Sequence, residues 1–233
     1  MAGKSMLQLL GGLLYASCMT RPDVAYAVSF LCQYMQDASP QAYEAGLGIL
    51  SYLYETRHIG LTYCGPGVAE PKSPVAELGN MSGLRCFSDS SFGKTPYPFG
   101  GGGVMHNGAV VGYFTRKTKF PVPDSSCYAE LHVIHQTLKE GIFTCHVLED
   151  MFGPVLTPII VTDNKAAYDI VMNPGVTKHA MHFERWIYFT RESCLHGRAK
   201  IVLTGTANMM ADGMTKVVDK NKFFLCRNYL MNI

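Results

Sequence analysis

The sequence lacks an apolar run long enough to cross a bilayer, a cysteine pair at metal-ligand spacing, and a phosphate-loop lysine. Residues 1–23, MAGKSMLQLLGGLLYASCMTRPD, hold an apolar stretch about half as long as a membrane span requires. The stretch has no small-residue cleavage signature and a helical period, so a packed helix is expected rather than a signal peptide or anchor. Eight cysteines are scattered without a C-x-x-C pair or a histidine at zinc spacing. That pattern argues against a zinc module and for free, mostly core thiols in a reducing, intracellular compartment, cytoplasmic or nuclear. Gly100–Gly103 are followed by no Gly-Lys-Ser/Thr, which excludes a nucleotide phosphate loop. Repeats and low-complexity tracts are also missing. With 20 Lys+Arg against 18 Asp+Glu, the net charge of +2 neither favours nor excludes a nucleic-acid partner.

What is present is enough apolar residue for one well-packed domain and a smaller appendage: 48% of 233 residues. Three helices are predicted first. Met6 to Cys18 is one; Thr20-Arg21-Pro22-Asp23 breaks it and restarts a second, with Pro22 suited to a first helical position. Val24, Ala27, Val28, Leu31 and Met35 carry that second helix. Ser39-Pro40 opens the third, with Ala45, Ile49, Leu50 and Leu53 as its buried stripe. A short strand is expected at Gly60–Tyr63. These residues, 1–63, form a small helical unit, and the proline- and glycine-rich residues 64–83 form a linker.

The second unit, 84–233, starts with an apolar strand, Leu84 to Phe92, that carries Asp89. Phe99–His106 and Ala109–Thr115, joined at Asn107-Gly108, read as a hairpin. A long helix opens at Ser125-Ser126, with Leu131, Ile134, Leu138, Ile142, Cys145 and Leu148 as its core stripe. A strand ending at Asp163 turns into a helix that Asn164 can cap. A further helix contains His179, His182, Glu184, Arg185 and Trp186. The strand Ala199–Leu203 and a last helix from Lys220 to Met231 close the chain. His179 and His182 stand three apart, but no third ligand of matching geometry supports zinc.

Four carboxylates stand at the ends of these elements: Asp89, Glu130, Asp163 and Asp212. Taken singly, each reads as a helix cap or a solvated turn. Taken together, in the order strand, helix, strand, helix, they suggest a shared site, because a carboxylate in a core strand is costly unless paired or bound to a cation.

Several segments carry a closer likeness: LLGGLLYASCMTRPDVAYAVSFL at 9–31, ILSYLYETRHIGLTYC at 49–64, FSDSSF at 87–92, VGYFTRKTK at 111–119, SSCYAEL at 125–131, TDNKAA at 162–167 and MMADGMTK at 209–216. On these, the chain resembles the ribonuclease H region of copia-type LTR-retrotransposon polyproteins, preceded by the tail of their reverse transcriptase. The resemblance implies an α/β fold, a ribonuclease H-like mixed five-stranded sheet flanked by helices, with a small N-terminal helical unit that is thumb- or connection-like. It implies cleavage of the RNA strand of RNA–DNA hybrids, the 2′-hydroxyl marking that strand. No two aspartates are adjacent, so the Y-x-D-D polymerase motif is absent and no polymerase activity is expected.

Such hydrolysis uses two Mg²⁺ ions about 4 Å apart, with Mn²⁺ as a substitute, and hard cations call for Asp and Glu. By resemblance, Asp89 bridges the ions, Asp212 helps hold the one that activates water, and Glu130 and Asp163 hold the one beside the leaving group. Nucleic-acid contacts are expected from Arg116, Lys117, Lys119, Asn164, Lys178 and His182. For the basic run at 116–119, a solvated edge-strand face is the alternative. The family's T-K-H block matches Thr177-Lys178-His179 by letter and His182-x-Glu184 by spacing, so both histidines remain candidates. The glycines at 100–103 mark a bulge, a close approach by other backbone, or a hybrid passing over the face. The implied partners are the hybrid and the upstream fingers and palm, within a retroelement particle. The alternatives are a non-catalytic nucleic-acid-binding or structural remnant, and a DNA-cutting nuclease of the same superfamily.

Overall fold

The computed structural model describes residues 2–65, 75, 78, 83–92, 97–118, 122–153, 157–173 and 184–233. Period-2 apolar patterning in the second half builds one sheet with a core on each face. Its strands are β1 (Arg85–Ser91), β2 (Phe99–His106), β3 (Ala109–Lys117), β4 (Ile159–Thr162) and β5 (Lys200–Leu203), in the order β3-β2-β1-β4-β5. β1, β2 and β3 pair antiparallel, while β1, β4 and β5 run parallel. The expected mixed five-stranded sheet of the ribonuclease H-like type is therefore present. The β2–β3 turn has positive φ at both Asn107 (51°) and Gly108 (93°), as a type I′ hairpin needs.

Alternate residues sort to the two faces. Cys86, Val104 and Ile160 pack under the long helix α4 (Ser126–Phe152) with its Leu131, Ile134 and Leu138. Phe87, Met105, Ile159 and Val161 face Met209, Met210, Met214 and Leu230 on the other side. Ser125 caps α4 by accepting a hydrogen bond from the Tyr128 amide at 3.3 Å. Helices α5 (Lys165–Met172), α6 (Glu184–Leu195) and α7 (Lys220–Met231) complete the layers.

At the glycines the close approach is made chiefly by side chains, and not by another backbone as expected. A Cβ at Gly100 would lie 2.5 Å from Val133 of α4, and one at Gly101 would lie 2.8 Å from Met214 and Thr215. The chain's own elements thus cover both faces at the tetraglycine. The ladder irregularity lies beyond it, where β2 shifts register between Val104 and Met105 and leaves Val111 unpaired on β3.

The N-terminal residues form α1 (Ala2–Met19), a 3₁₀ turn at Pro22–Val24, α2 (Ala25–Leu31) and α3 (Pro40–Glu55), with Ser39 capping α3 through the Ala42 amide at 3.1 Å. Met6, Leu10, Leu13, Val24, Val28 and Leu31 make their core. Two expectations are corrected here. The inward stripe of α3 is Ala42, Tyr43, Gly46, Ile49 and Leu53, whereas Ala45 and Leu50 are exposed. The face is rotated toward Gly46, which packs against Leu9 of α1 so tightly that a Cβ there would meet that side chain at 2.8 Å. Residues 60–63 form no strand. The amides of Thr62 and Cys64 bond instead to single distant carbonyls, Met231 (3.0 Å) and Asn107 (2.7 Å).

The helical unit is fastened to the sheet. Ser29 Oγ donates to the Thr115 carbonyl at 3.2 Å, Arg227 donates to the Tyr52 hydroxyl at 3.3 Å, and Tyr26 meets Phe99 edge-on at 5.3 Å. In segment 64–83, Val75 and Leu78 are fully buried in the second core. Among the described residues, no helix is long and apolar enough to cross a membrane.

Candidate active site

β1 and β4 run parallel with Phe87 opposite Val161. Two residues further along each strand direction come Asp89 and Asp163, so the register sets the two aspartates side by side. Glu130 reaches the same point from the first turns of α4, where its Oε1 accepts the Ser90 amide at 3.1 Å. One carboxylate oxygen from each of Asp89, Glu130 and Asp163 lies within 4.8 Å of the others. Asp89 is 2% exposed and Glu130 5% exposed, and Glu130 Oε2 has no hydrogen-bond partner among the described residues.

Asp212 comes from a 3₁₀ turn, Met210–Met214, and stands beside Asp89 outside that close group. Its Oδ1 is 2.7 Å from Lys216 Nζ and its Oδ2 is 3.2 Å from Lys222 Nζ. Lys216 also lies 3.5 Å from Asp89 Oδ2, an oxygen that accepts the Thr215 hydroxyl. Thr215 and Lys216 were not among the predicted site residues. The signal for Lys216 was the Asp212–Lys216 spacing of four within AD-x-x-TK.

The electrostatics follow from burial and like charge. Burial first, then Asp89 and Asp163, push the Glu130 carboxyl well above the usual carboxylate range. Burial raises Asp89 as well, with Lys216 and Thr215 opposing and Asp212 and Asp163 adding to the rise. Lys216 is raised, because the attraction of Asp89 and Asp212 outweighs the burial that would lower it.

Among the predicted nucleic-acid contacts, Arg116 is exposed on β3 and stacks on Phe114 at 4.6 Å. Lys117 donates to Gln33 of the helical unit at 2.6 Å. Asn164 caps α5, accepting the Ala167 amide at 2.9 Å. Lys119, Lys178, His179 and His182 lie outside the described residues.

Fold and site together define a ribonuclease H-like domain with a buried carboxylate cluster at the end of its central strands, carried behind a helical unit. No family model matches the chain. Its homologues are retrotransposon Pol polyproteins. It is 27% identical over 219 residues to the retrovirus-related Pol polyprotein from transposon RE1 of Arabidopsis thaliana, covering 92% of this chain and 14% of that protein. It is also 27% identical over 218 residues to the corresponding polyprotein from transposon TNT 1-94 of Nicotiana tabacum, 94% of this chain and 16% of that one. To the transposon Ty1-H Gag-Pol polyprotein of Saccharomyces cerevisiae it is 23% identical over 226 residues, with 96% and 12% covered. The chain thus spans a small part of the length of these relatives. Among solved structures, ribonuclease H1 of Halobacterium salinarum NRC-1 aligns with a TM-score of 0.42 at 14% identity, over 57% of this chain and 95% of that one. LC11 ribonuclease H1, solved with an RNA/DNA hybrid, aligns with 0.43 at 12% identity, over 57% and 93%.

Proposed function

We propose that this chain hydrolyses the RNA strand of RNA–DNA hybrids in a cation-dependent reaction, inside the cell and as part of a retrotransposon polyprotein. The observation that carries this reading is the convergence of Asp89, Glu130 and Asp163 within 4.8 Å. The homology to Pol polyproteins over most of the chain supports it.

The donor set fits hard divalent cations: it is all oxygen, and Glu130 presents a buried oxygen without a hydrogen-bond partner among the described residues. Asp89, Glu130 and Asp163 would hold a first Mg²⁺, with Asp89 and Asp212 the donors for a second. Bound cations supply the charge that makes water nucleophilic at neutral pH and that stabilises the departing oxygen. The chain does the rest. The β1–β4 register sets Asp89 beside Asp163, the Ser90 amide orients Glu130, and the Thr215 hydroxyl fixes Asp89. Arg116 is the exposed cation that we assign to backbone phosphate.

The test offers labelled RNA–DNA hybrid, RNA duplex and DNA duplex to the protein, each with Mg²⁺ and with EDTA. Cleavage is expected only of the RNA in the hybrid and only with Mg²⁺. Asp89→Asn should lower the rate far beyond the roughly 10²–10⁴-fold typical of losing one acid–base group, while hybrid affinity is kept. Near-wild-type cleavage by Asp89→Asn contradicts the reading. Hybrid binding without cleavage by the wild type would make the chain a non-catalytic remnant.

A further inference from the structure

The carboxylates of the site are unequally supplied with positive charge. Each oxygen of Asp212 lies at ion-pair distance from a lysine, whereas no lysine or arginine among the described residues pairs with Glu130; Glu130 Oε2 and Asp212 Oδ1 are both buried and make no hydrogen bond within the described residues. The two lysines also differ from each other. Lys222 is a fixed strut: its side chain is 13% exposed, and its Nζ also donates to the carbonyls of Thr206 at 3.1 Å and Ala207 at 2.6 Å. Lys216 is 40% exposed, and its ammonium meets only carboxylates, Asp212 at 2.7 Å and Asp89 at 3.5 Å. No backbone carbonyl among the described residues holds it, so it can swing to solvent without breaking anything but those ion pairs.

We propose that Lys216 is a displaceable internal cation. It neutralises the edge between Asp89 and Asp212 while the substrate is absent, and so limits the free protein to one divalent ion, held by Asp89, Glu130 and Asp163. A second ion at Asp212 requires the ammonium to leave. Lys216 is thus a positioning residue that sets the order of cation loading, and the inference rests on the cation-dependent reading above. Lys222 does not conflict with it, because it occupies Oδ2 and leaves Oδ1 to whichever cation replaces Lys216.

The experiment is a calorimetric titration of the full chain with Mn²⁺, without nucleic acid, for wild type, Lys216→Met, Lys216→Arg and Asp212→Asn. Melting curves in EDTA confirm that each variant is folded. One equivalent is expected for wild type and for Lys216→Arg, and two for Lys216→Met. Asp212→Asn should keep its single equivalent at unchanged affinity, and this arm decides the matter should Lys216→Met not fold. Two equivalents in wild type, one in a folded Lys216→Met, or loss of the first ion in Asp212→Asn would overturn the role of Lys216 while leaving a cation site in place. Failure of every protein to bind Mn²⁺ would overturn the cation site itself, and the inference with it.

Discussion

Two groups of buried charge in this molecule are built on opposite terms. In the helical unit, Arg21 and Asp23 form a two-pronged pair, Nε to Oδ1 at 3.0 Å and Nη2 to Oδ2 at 2.8 Å. Asp23 Oδ2 also accepts the Tyr52 hydroxyl at 2.7 Å, and Arg21 reaches Thr56 Oγ1 at 2.7 Å. For Arg21, burial alone would lower the pKa, but Asp23 outweighs it and the net shift is upward. At the end of β1 the balance is reversed. Burial and neighbouring carboxylates act together on Glu130, and one of its oxygens makes no hydrogen bond within the described residues. The first group is complete within the chain, and the TRPD motif is its sequence trace. The second has lysines on Asp89 and Asp212 but, among the described residues, no ion pair on Glu130, and that shortfall is the mark of a site and not of a strut.

Breaking the complete group should have the larger effect on stability. Asp23→Ala leaves Arg21 buried without its partner, and about 3–5 kcal/mol is expected to be lost, read as a lower midpoint in urea. Supplying the incomplete group comes next. Mg²⁺ at a hundredfold excess over its dissociation constant should add about 2.7 kcal/mol, measured by the same denaturation, and Glu130→Gln should abolish that gain.

The pH dependence sharpens the contrast. Carboxyls raised on folding, Asp89 and Glu130, contribute stability that is full below the ordinary carboxylate range and is lost as pH rises through their folded values. In EDTA they therefore favour the acidic side. His132 and His135, packed against Trp186 at 4.4 and 6.1 Å, act the other way. Burial lowers both to about 4, helped by Arg116 for His132 and by Lys139 and His132 for His135. Their contribution is lost as pH falls from about 6.5 to about 4. His135→Phe should flatten that fall relative to wild type in melting curves across this range. The smallest effect is expected at the rim of the site, where Arg116→Ala should weaken hybrid binding and reduce its salt slope by about one phosphate contact.

Much of this was legible because the determinants are local. Asn107-Gly108 demanded its turn, Ser125 and Ser39 capped their helices, and Lys220–Met231 has the expected bounds. The convergence of Asp89, Glu130 and Asp163 was legible through the order of elements and the family likeness. What was missed depends on distant partners. Residues 60–63 have strand-like side chains, but the Thr62 amide bonds to α7 and the amide of the following Cys64 to the hairpin turn. The stripe expected on α3 did not include Gly46, which packs against Leu9 of α1. Lys216 reads as one charge after a turn, and its role emerges only where residues 89 and 212 meet it. We retain residues 1–63 and 84–233 as separate units as a proposal. Removing the first should lower the melting temperature, because Tyr26 covers Phe99 and Tyr52 engages Arg227.

The claim that one charge group is finished and the other awaits a cation is tested most directly by a pair of melting temperatures. Glu130→Gln and Asp23→Asn both replace a buried carboxyl by an amide at nearly constant volume. At neutral pH in EDTA, Glu130→Gln should melt above wild type, because it removes a carboxyl whose ionisation burial and its neighbours oppose. Asp23→Asn should melt below it, because it strands Arg21. If both variants melt below wild type, and Mg²⁺ leaves the wild-type melting temperature unchanged, the carboxylates at the end of β1 are structural and hold no cation.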